Sequence, residues 1–390
     1  MSDPSPDHAG ILAAIGDPEL ARPFTDRFLE ATRLYDALVD AAAWRILEEA
    51  DLLPPAEGRS ARAAASELRL GAQAAHVAST LLGKLADAGY LSREGDLLRP
   101  SGVHPTGAAE AAAALREGIP EAAVGADIVE VLVSEAPSFF RGERTGEEIL
   151  FAPNRLPLWF RYFSNENVLY SVNNVLAAEA LARVLPATGA SVLEIGGGAG
   201  SAAEAILRRL GARASRYHFT EVVPTFLRRG ERAARAAAAP QTAVAAAKLD
   251  MTLPWAEQGI APASFDAVVA VNCFHVAPDL GFVLAQARQA LRAGGAVVLS
   301  ECVKPLDPFR PIYVDFVFSF LTSFTNVVTD PVSRPAPGFL SPAAWRASFA
   351  AAGFPRVDFL PDAEAVARLY PDFFVAAVVA RTGVPGGSAA

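Results

Sequence analysis

The sequence predicts an α/β fold: a doubly wound, mostly parallel sheet preceded by a smaller, mostly helical domain. Three observations predict it. From Ala190 onward, short strand-like runs alternate with helical stretches, which marks a parallel sheet. The run SVLEIGGGAGS (Ser191 to Ser201) places four glycines within five residues directly after an apolar strand. A doubly wound sheet carries its ligand-approaching loop at that position. Upstream, three amphipathic helices and a hairpin fill residues 26–102.

Composition bounds the function classes. The 390 residues suffice for two domains, and with 52% apolar and 20% charged residues the chain is globular, not disordered. The formal net charge is −9 and only three residues are lysine, with no basic stripe, so nucleic acid is not an expected partner. No apolar run reaches ~18 residues, so no membrane span is expected. The N-terminal MSDPSPDHAG lacks a basic n-region and an apolar h-region, and the expected location is cytoplasmic. Cys273 and Cys302 are too few for a disulfide framework or a cysteine-based metal site.

The elements follow in order. Residues 1–25 read as a flexible leader. From Phe28 the pattern turns helical, with Leu34, Leu38 and Ile46 on one face and Trp44 close by. ARAAASELRL and AQAAHVASTLLGKLADAGYL give two more helices joined at Gly71, and LSREGDLLRP gives a hairpin around Glu94-Gly95. Three helices and a hairpin in that order predict a winged helix over residues 26–102. Lys84 and His76 are nearly all the cationic character its second paired helix offers. That cannot neutralise several phosphates, so dimerisation or domain packing is the expected role, and a homodimer the expected assembly.

Residues 103–186 read as a helical linker or lid. Its aromatic, amide-rich run LWFRYFSNENVLYSVNNVLAAEALARVL places Trp159, Phe160, Tyr162 and Tyr170 mainly in helix core. Asn165, Asn167, Asn173 and Asn174 are mediocre helix formers that need partners when buried, as on a helix closing over a ligand. The sheet domain spans residues 187–382, with strands SVLEI, RYHFTEV, FDAVVAVN and GAVVLSE, a late helix SPAAWRASFAAAGF and a last strand FFVAAVVAR. Residues 383–390 read as a flexible tail.

A glycine-rich strand-to-helix turn is by itself a weak signal, because a tight turn without a ligand also needs positive φ. Two carboxylates strengthen it. Glu221 ends the next strand about twenty residues downstream, where an acidic side chain can hold ribose hydroxyls. Asp250, in KLDM, ends another run and can accept from the amine of an adenine. ALRAGGAVVLSE adds a helix, a Gly-Gly turn and a strand at the spacing of a later βα unit.

With these residues in order, the segment Glu194-Ile195-Gly196-Gly197-Gly198-Ala199-Gly200 resembles motif I of class I S-adenosylmethionine-dependent methyltransferases. The resemblance covers residues ~155–382 and implies a Rossmann-like seven-stranded methyltransferase sheet. It implies S-adenosyl-L-methionine as cofactor and S-adenosyl-L-homocysteine as product. Glu194, Gly196, Gly198 and Gly200 would face the methionine moiety, Glu221 the ribose, Asp250 and Met251 the adenine, with Asn272 beside them. The N-terminal half is similar in architecture to the dimerisation domain of small-molecule O-methyltransferases.

Methyl transfer from a sulfonium asks the enzyme to position a nucleophile and remove its proton. His275 directly follows the strand FDAVVAVN, at the edge where the glycine loop lies. Glu301 ends the neighbouring strand, and strand ends about 5 Å apart let a carboxylate orient an imidazole. On position alone, Glu301 reads equally as a strand terminator binding a backbone amide. VNCFHVAPDL followed by LRAGGAVVLSE is similar to the C-methyltransferase domains of polyketide synthases. That similarity implies a His275–Glu301 dyad that deprotonates an acidic carbon.

An O-methyltransferase is the main alternative, although Val276-Ala277 after His275 depart from the H-D-W pattern of that family. A non-methylating S-adenosylmethionine-dependent cyclase of the same fold is a further one. A cofactor-sensing DNA regulator is disfavoured by the acidic balance, and no metal site is expected. The expected substrate is a small-molecule or carrier-tethered acyl compound. Tyr162, Tyr170, Asn173, Tyr313, Phe316 and Phe320 are candidates to line its pocket, with Phe309 and Phe324 in the same insertion, and core packing is the competing reading. Arg310 and Arg334 are candidates to meet a carboxylate or phosphate.

Overall fold

The computed structural model describes residues 7–383. A hairpin of β1 (Leu91–Glu94) and β2 (Leu97–Pro100) closes the N-terminal helical region, and Arg59 bridges to Leu98 on its free edge. Glu94 pairs with Leu97, so the two-residue turn is Gly95-Asp96, one residue later than the sequence suggests, with Gly95 at φ +59°. The helix Asp26–Glu49 is the spine of this half, capped by Thr25 and buried through Tyr35, Leu38, Val39, Ile46 and Leu47.

The leader corrects the sequence reading. Residues His8–Ile15 and Pro18–Ala21 are helices, capped by the side chains of Asp7 and Asp17. Ile11, Leu20 and Phe24 are buried, and Arg183 holds Asp17 at 2.6 Å. Two short helices show too few turns for a periodic pattern, and the Asp and Pro that resemble a polar tail are their N-cap signals. Of the tail expected at 383–390, residues 384–390 lie outside the described residues.

The second half is a seven-stranded sheet of β3 (Ala190–Glu194), β4 (Ala214–Thr220), β5 (Ala243–Ala247), β6 (Phe265–Val271), β7 (Leu291–Cys302), β8 (Arg356–Leu360) and β9 (Val375–Arg381). Its spatial order is β5-β4-β3-β6-β7-β9-β8. β3 to β7 run parallel, and β9 runs antiparallel to both β7 and β8. β3 and β6 are buried almost throughout, as strands covered on both faces must be. Chain order reverses at β3, which lies between β4 and β6, so the carboxyl ends of these three strands frame the switch-point crevice.

The Gly-Gly turn expected before the fourth recognised strand is instead a bulge inside β7. The helix Leu280–Ala290 ends, Leu291 pairs with Phe265, and the ladder resumes at Ala296 opposite Ala267. The extra residues include Gly294 at φ +78°, a conformation that suits glycine. After β7, the insertion forms helices Tyr313–Phe318 and Thr322–Thr325 and then a strap that runs back to the helix Pro342–Ala351. None of the described helices is long and apolar enough to cross a membrane.

Candidate active site

The glycine loop is bound on both sides before any ligand is considered. Ile195 N–H donates to the Val269 carbonyl at 2.9 Å, and Gly197 N–H donates to the Thr220 carbonyl at 2.9 Å. Gly196, Gly198 and Gly200 have φ of +64°, +55° and +91°. A Cβ at Gly196 would lie 2.4 Å from Cys273 Sγ, and one at Gly200 2.7 Å from the Gly230 backbone, so these two glycines are required by the protein's own packing. A Cβ at Gly198 would meet nothing within 4 Å, so that face of the loop opens to free space.

Two carboxylates flank the opening. Glu221 accepts from Gly198 N–H at 2.9 Å and from Val223 N–H at 2.8 Å, which fixes the β4 end against the loop. Glu194 is 1% exposed and accepts from the Tyr217 hydroxyl at 2.9 Å. Burial pushes its carboxyl up to about 8, with the Tyr217 hydrogen bond opposing and the Glu221 charge adding to the rise. Its second oxygen, Oε1, is buried with no partner among the described residues. Asp250 instead caps its own turn, accepting from Thr252 N–H and Oγ1. Met251 Sδ lies 3.9 Å from Cys273 Sγ, on the Gly196 side of the crevice.

The ends of β6 and β7 are joined by Asn272. It adopts left-handed φ of +46°, its N–H donates to the Ser300 carbonyl at 2.8 Å, and its Oδ1 accepts from Cys302 N–H at 3.3 Å. Asn is among the few non-glycine residues that tolerate this conformation. The chain then turns so that Cys273 and Phe274 donate their N–H groups to Glu301 Oε1 at 3.2 and 3.0 Å. Glu301 Oε2 meets His275 Nδ1 at 2.6 Å. Both residues are buried, His275 at 4% and Glu301 at 0% exposure. A carboxylate at this position accepts only, so it favours a hydrogen on the facing Nδ1.

The amides of the preceding helical segment have structural partners. Asn165 Nδ2 donates to the Ser201 carbonyl and to Glu204, tying the segment to the helix that leaves the glycine loop. Asn174 donates to Asn165, and Asn167 caps the helix Val168–Val184. Asn173 Oδ1 accepts from Ser300 Oγ at 3.4 Å, beneath the β6–β7 end.

The aromatic candidates divide. Tyr162 and Tyr170 belong to a cluster that continues through Phe318, 6.2 Å from Tyr162, to Phe324 and then His275, 5.8 Å from Phe324. The pocket-lining expectation for Phe316 and Phe320 is corrected. They are buried in the seam with the N-terminal half, where Phe320 packs on Phe139 at 4.7 Å. Tyr313 packs against Tyr35 and Phe374 and lines a cavity of about 700 Å³ with Lys84 and Lys304, in which His275 takes no part. Tyr313 and Phe316 lie on the helix Tyr313–Phe318 and Phe320 in the turn after it, and all three are buried. Phe309 is exposed, and Arg310 is paired with Asp372 at 2.9 Å. Phe318, Phe339 and Tyr217 escaped the sequence reading. Phe339, 4.5 Å from the His275 ring, is 64 residues away along the chain, and no local pattern links them.

The donor set fits S-adenosylmethionine: an open glycine face, a buried unpartnered carboxylate oxygen on Glu194, a carboxylate at the β4 end and a thioether wall. Comparison with known proteins agrees. Residues 193–297 match the family model described as a methyltransferase domain. Over 181 residues the chain is 31% identical to the polyketide synthase ThaG of Burkholderia thailandensis, a match covering 45% of this chain and 3% of that protein. The matches span between 3% and 12% of the length of such curated relatives. Among solved structures, the CurJ carbon methyltransferase superposes with a TM-score of 0.72 at 21% identity, covering 97% of this chain and 99% of the other. The trans-methyltransferase CalH, solved in complex with SAH, gives 0.60 at 17% identity over 94% and 92%.

Proposed function

We propose that this chain, which carries a S-adenosylmethionine-dependent methyltransferase domain of the polyketide synthase C-methyltransferase type, methylates an acidic carbon alpha to a carbonyl, with His275 as base and Glu301 orienting it. The observation that carries the proposal is the buried 2.6 Å contact between Glu301 Oε2 and His275 Nδ1, with Oε1 held by two backbone N–H groups. Glu301 is thereby fixed from two directions, and it fixes the imidazole in the tautomer that can take a proton at Nε2.

When bound, the cofactor supplies an electrophilic methyl group on a sulfonium. The residues suited to hold it are Glu194, Gly196, Gly198, Gly200, Glu221, Asp250, Met251 and Asn272. His275 Nε2 takes the α-proton, the C–H electron pair passes to the enolate, and the enolate carbon becomes the nucleophile. Glu301 stabilises the imidazolium so formed without taking its proton. The low exposure of both residues keeps water from competing for the base. The relatives named as polyketide synthases support an acyl substrate.

The test is mass spectrometry on the protein incubated with S-adenosylmethionine bearing a ¹³C methyl group and a panel of β-keto thioesters, α-keto acids and phenols. Label on carbon is the expected result. Label on oxygen would overturn the carbon reading, and cofactor binding without transfer to any acceptor would favour a non-methylating reaction.

A further inference from the structure

Arg334 lies in the strap between the insertion helices and the helix Pro342–Ala351, 59 residues from His275 in sequence. It is 2% exposed. Its Nη1 donates to the Ala277 carbonyl at 2.6 Å, its Nη2 donates to the carbonyl of His275 itself, and its Nε has no partner among the described residues. The guanidinium therefore sits in the interior with carbonyls and, among the described residues, no carboxylate as direct partners, an arrangement that costs folding energy. Burial pushes it down to about 10, against the pull of the Glu301 and Asp279 charges.

The strap is pinned along its length. Val328 N–H donates to the Pro278 carbonyl at 2.8 Å, the Asp330 and Arg334 backbones bridge each other, and the Ser333 carbonyl accepts from Ser348. Phe339 then lies on the imidazole, with ring centroids 4.5 Å apart at 40°. His275 is thus gripped from two sides: Glu301 holds its ring nitrogen, and Arg334 holds the main chain from which the ring projects.

We propose that Arg334 is a positioning residue for His275, fixing the loop that carries the imidazole. The proposal rests on His275 acting as the base.

Two variants of the full chain test the grip. Arg334→Gln removes the guanidinium, whereas Arg334→Lys keeps the charge and loses the two-pronged fork. The readouts are the NMR signals of the His275 imidazole, assigned by their loss in His275→Asn, and the kcat and KM of methyl transfer to acetoacetyl-N-acetylcysteamine. Cofactor Kd and Tm are measured alongside. The expected result for Arg334→Gln is displaced His275 ring signals and kcat lowered roughly 10- to 100-fold, with KM and cofactor Kd unchanged. Arg334→Lys, which keeps a donor for one of the two carbonyls, should recover part of kcat. Unmoved ring signals with wild-type kcat in Arg334→Gln, or a kcat loss that only follows the loss of folded protein, would overturn the proposal.

Discussion

Glu301 meets His275 with one carboxylate oxygen and the backbone beneath His275 with the other, so a single side chain sets both the tautomer and the height of the imidazole. Replacing it by glutamine should preserve the second contact and invert the first. In Glu301→Gln the amide carbonyl still accepts from Cys273 and Phe274, while the amide NH₂ presents a donor to Nδ1. That favours the tautomer with hydrogen on Nε2, which cannot accept a proton from substrate. We expect kcat to fall by roughly 10²–10⁴ with little change in Tm or cofactor Kd. Turnover measured beside a thermal melt checks this.

His275→Ala should give a loss of the same order, roughly 10²–10⁴ in turnover, and leave cofactor affinity nearly intact. Combining it with Glu301→Gln should add little, because two residues that work as one unit lose their joint effect once either fails. Additive losses in the double variant would mean that the two side chains act separately.

Glu221→Ala should weaken cofactor binding and spare the base. The carboxylate at the β4 end both faces the crevice and holds the Gly198 N–H at 2.9 Å, so its removal loosens the loop as well as a ligand contact. Losing a charge-assisted hydrogen bond costs about 1.5–3 kcal/mol, which is roughly a 10- to 150-fold rise in Kd. Isothermal titration with S-adenosylmethionine reads it directly. A Glu221→Ala variant with wild-type Kd and low kcat would reverse this division of roles.

The legible parts of this molecule were those in which one residue type answers one backbone demand. Glycines at positive φ after an apolar strand located the crevice, and two strands with adjacent ends brought His275 and Glu301 together despite 26 intervening bonds of chain. The leader helices were hidden because Asp7 and Asp17 cap them with residues that also compose loops. Phe316 and Phe320 pack in the seam, which the sequence hid because aromatic spacing reports no more than a pattern and says nothing of what those rings meet. Phe339 reaches His275 through a strap that has no period, so only tertiary packing reveals it, and Arg334, expected to meet a carboxylate or phosphate, donates there to main-chain carbonyls instead.

Gly196 offers a test of packing between the loop and the β6 end. A methyl group there would fall 2.4 Å from Cys273 Sγ, in a backbone conformation at φ +64°. Gly196→Ala should therefore destabilise the protein through both overlap and strain, by a few kcal/mol in total. Cys273→Ala should relieve the overlap alone. In a double-mutant cycle, Gly196→Ala with Cys273→Ala should be less destabilised than the sum of the single changes, by about 1 kcal/mol or more. Strict additivity in urea denaturation would mean that the loop shifts instead of pressing on the sulfur.

Glu194 makes the stability of the ligand-free protein depend on pH. Its carboxyl is raised to about 8 in the folded chain, chiefly by burial, against an unfolded value of 4.5. Below the unfolded value both states are protonated and Glu194 contributes no pH dependence. As pH climbs from there toward the folded value, the unfolded chain releases its proton while the native one retains it, so the unfolded state gains and stability falls. The slope for one such group approaches ~1.4 kcal/mol per pH unit and flattens above the folded value. Glu194→Gln keeps an acceptor for the Tyr217 hydroxyl and cannot ionise, so it should remove that slope. Urea denaturation of both proteins at pH 5.5 and pH 7.5 should show wild type losing on the order of 2 kcal/mol more than the variant. Equal losses would mean that Glu194 is already ionised in the folded chain, and that its free oxygen finds a partner in solution before the cofactor arrives.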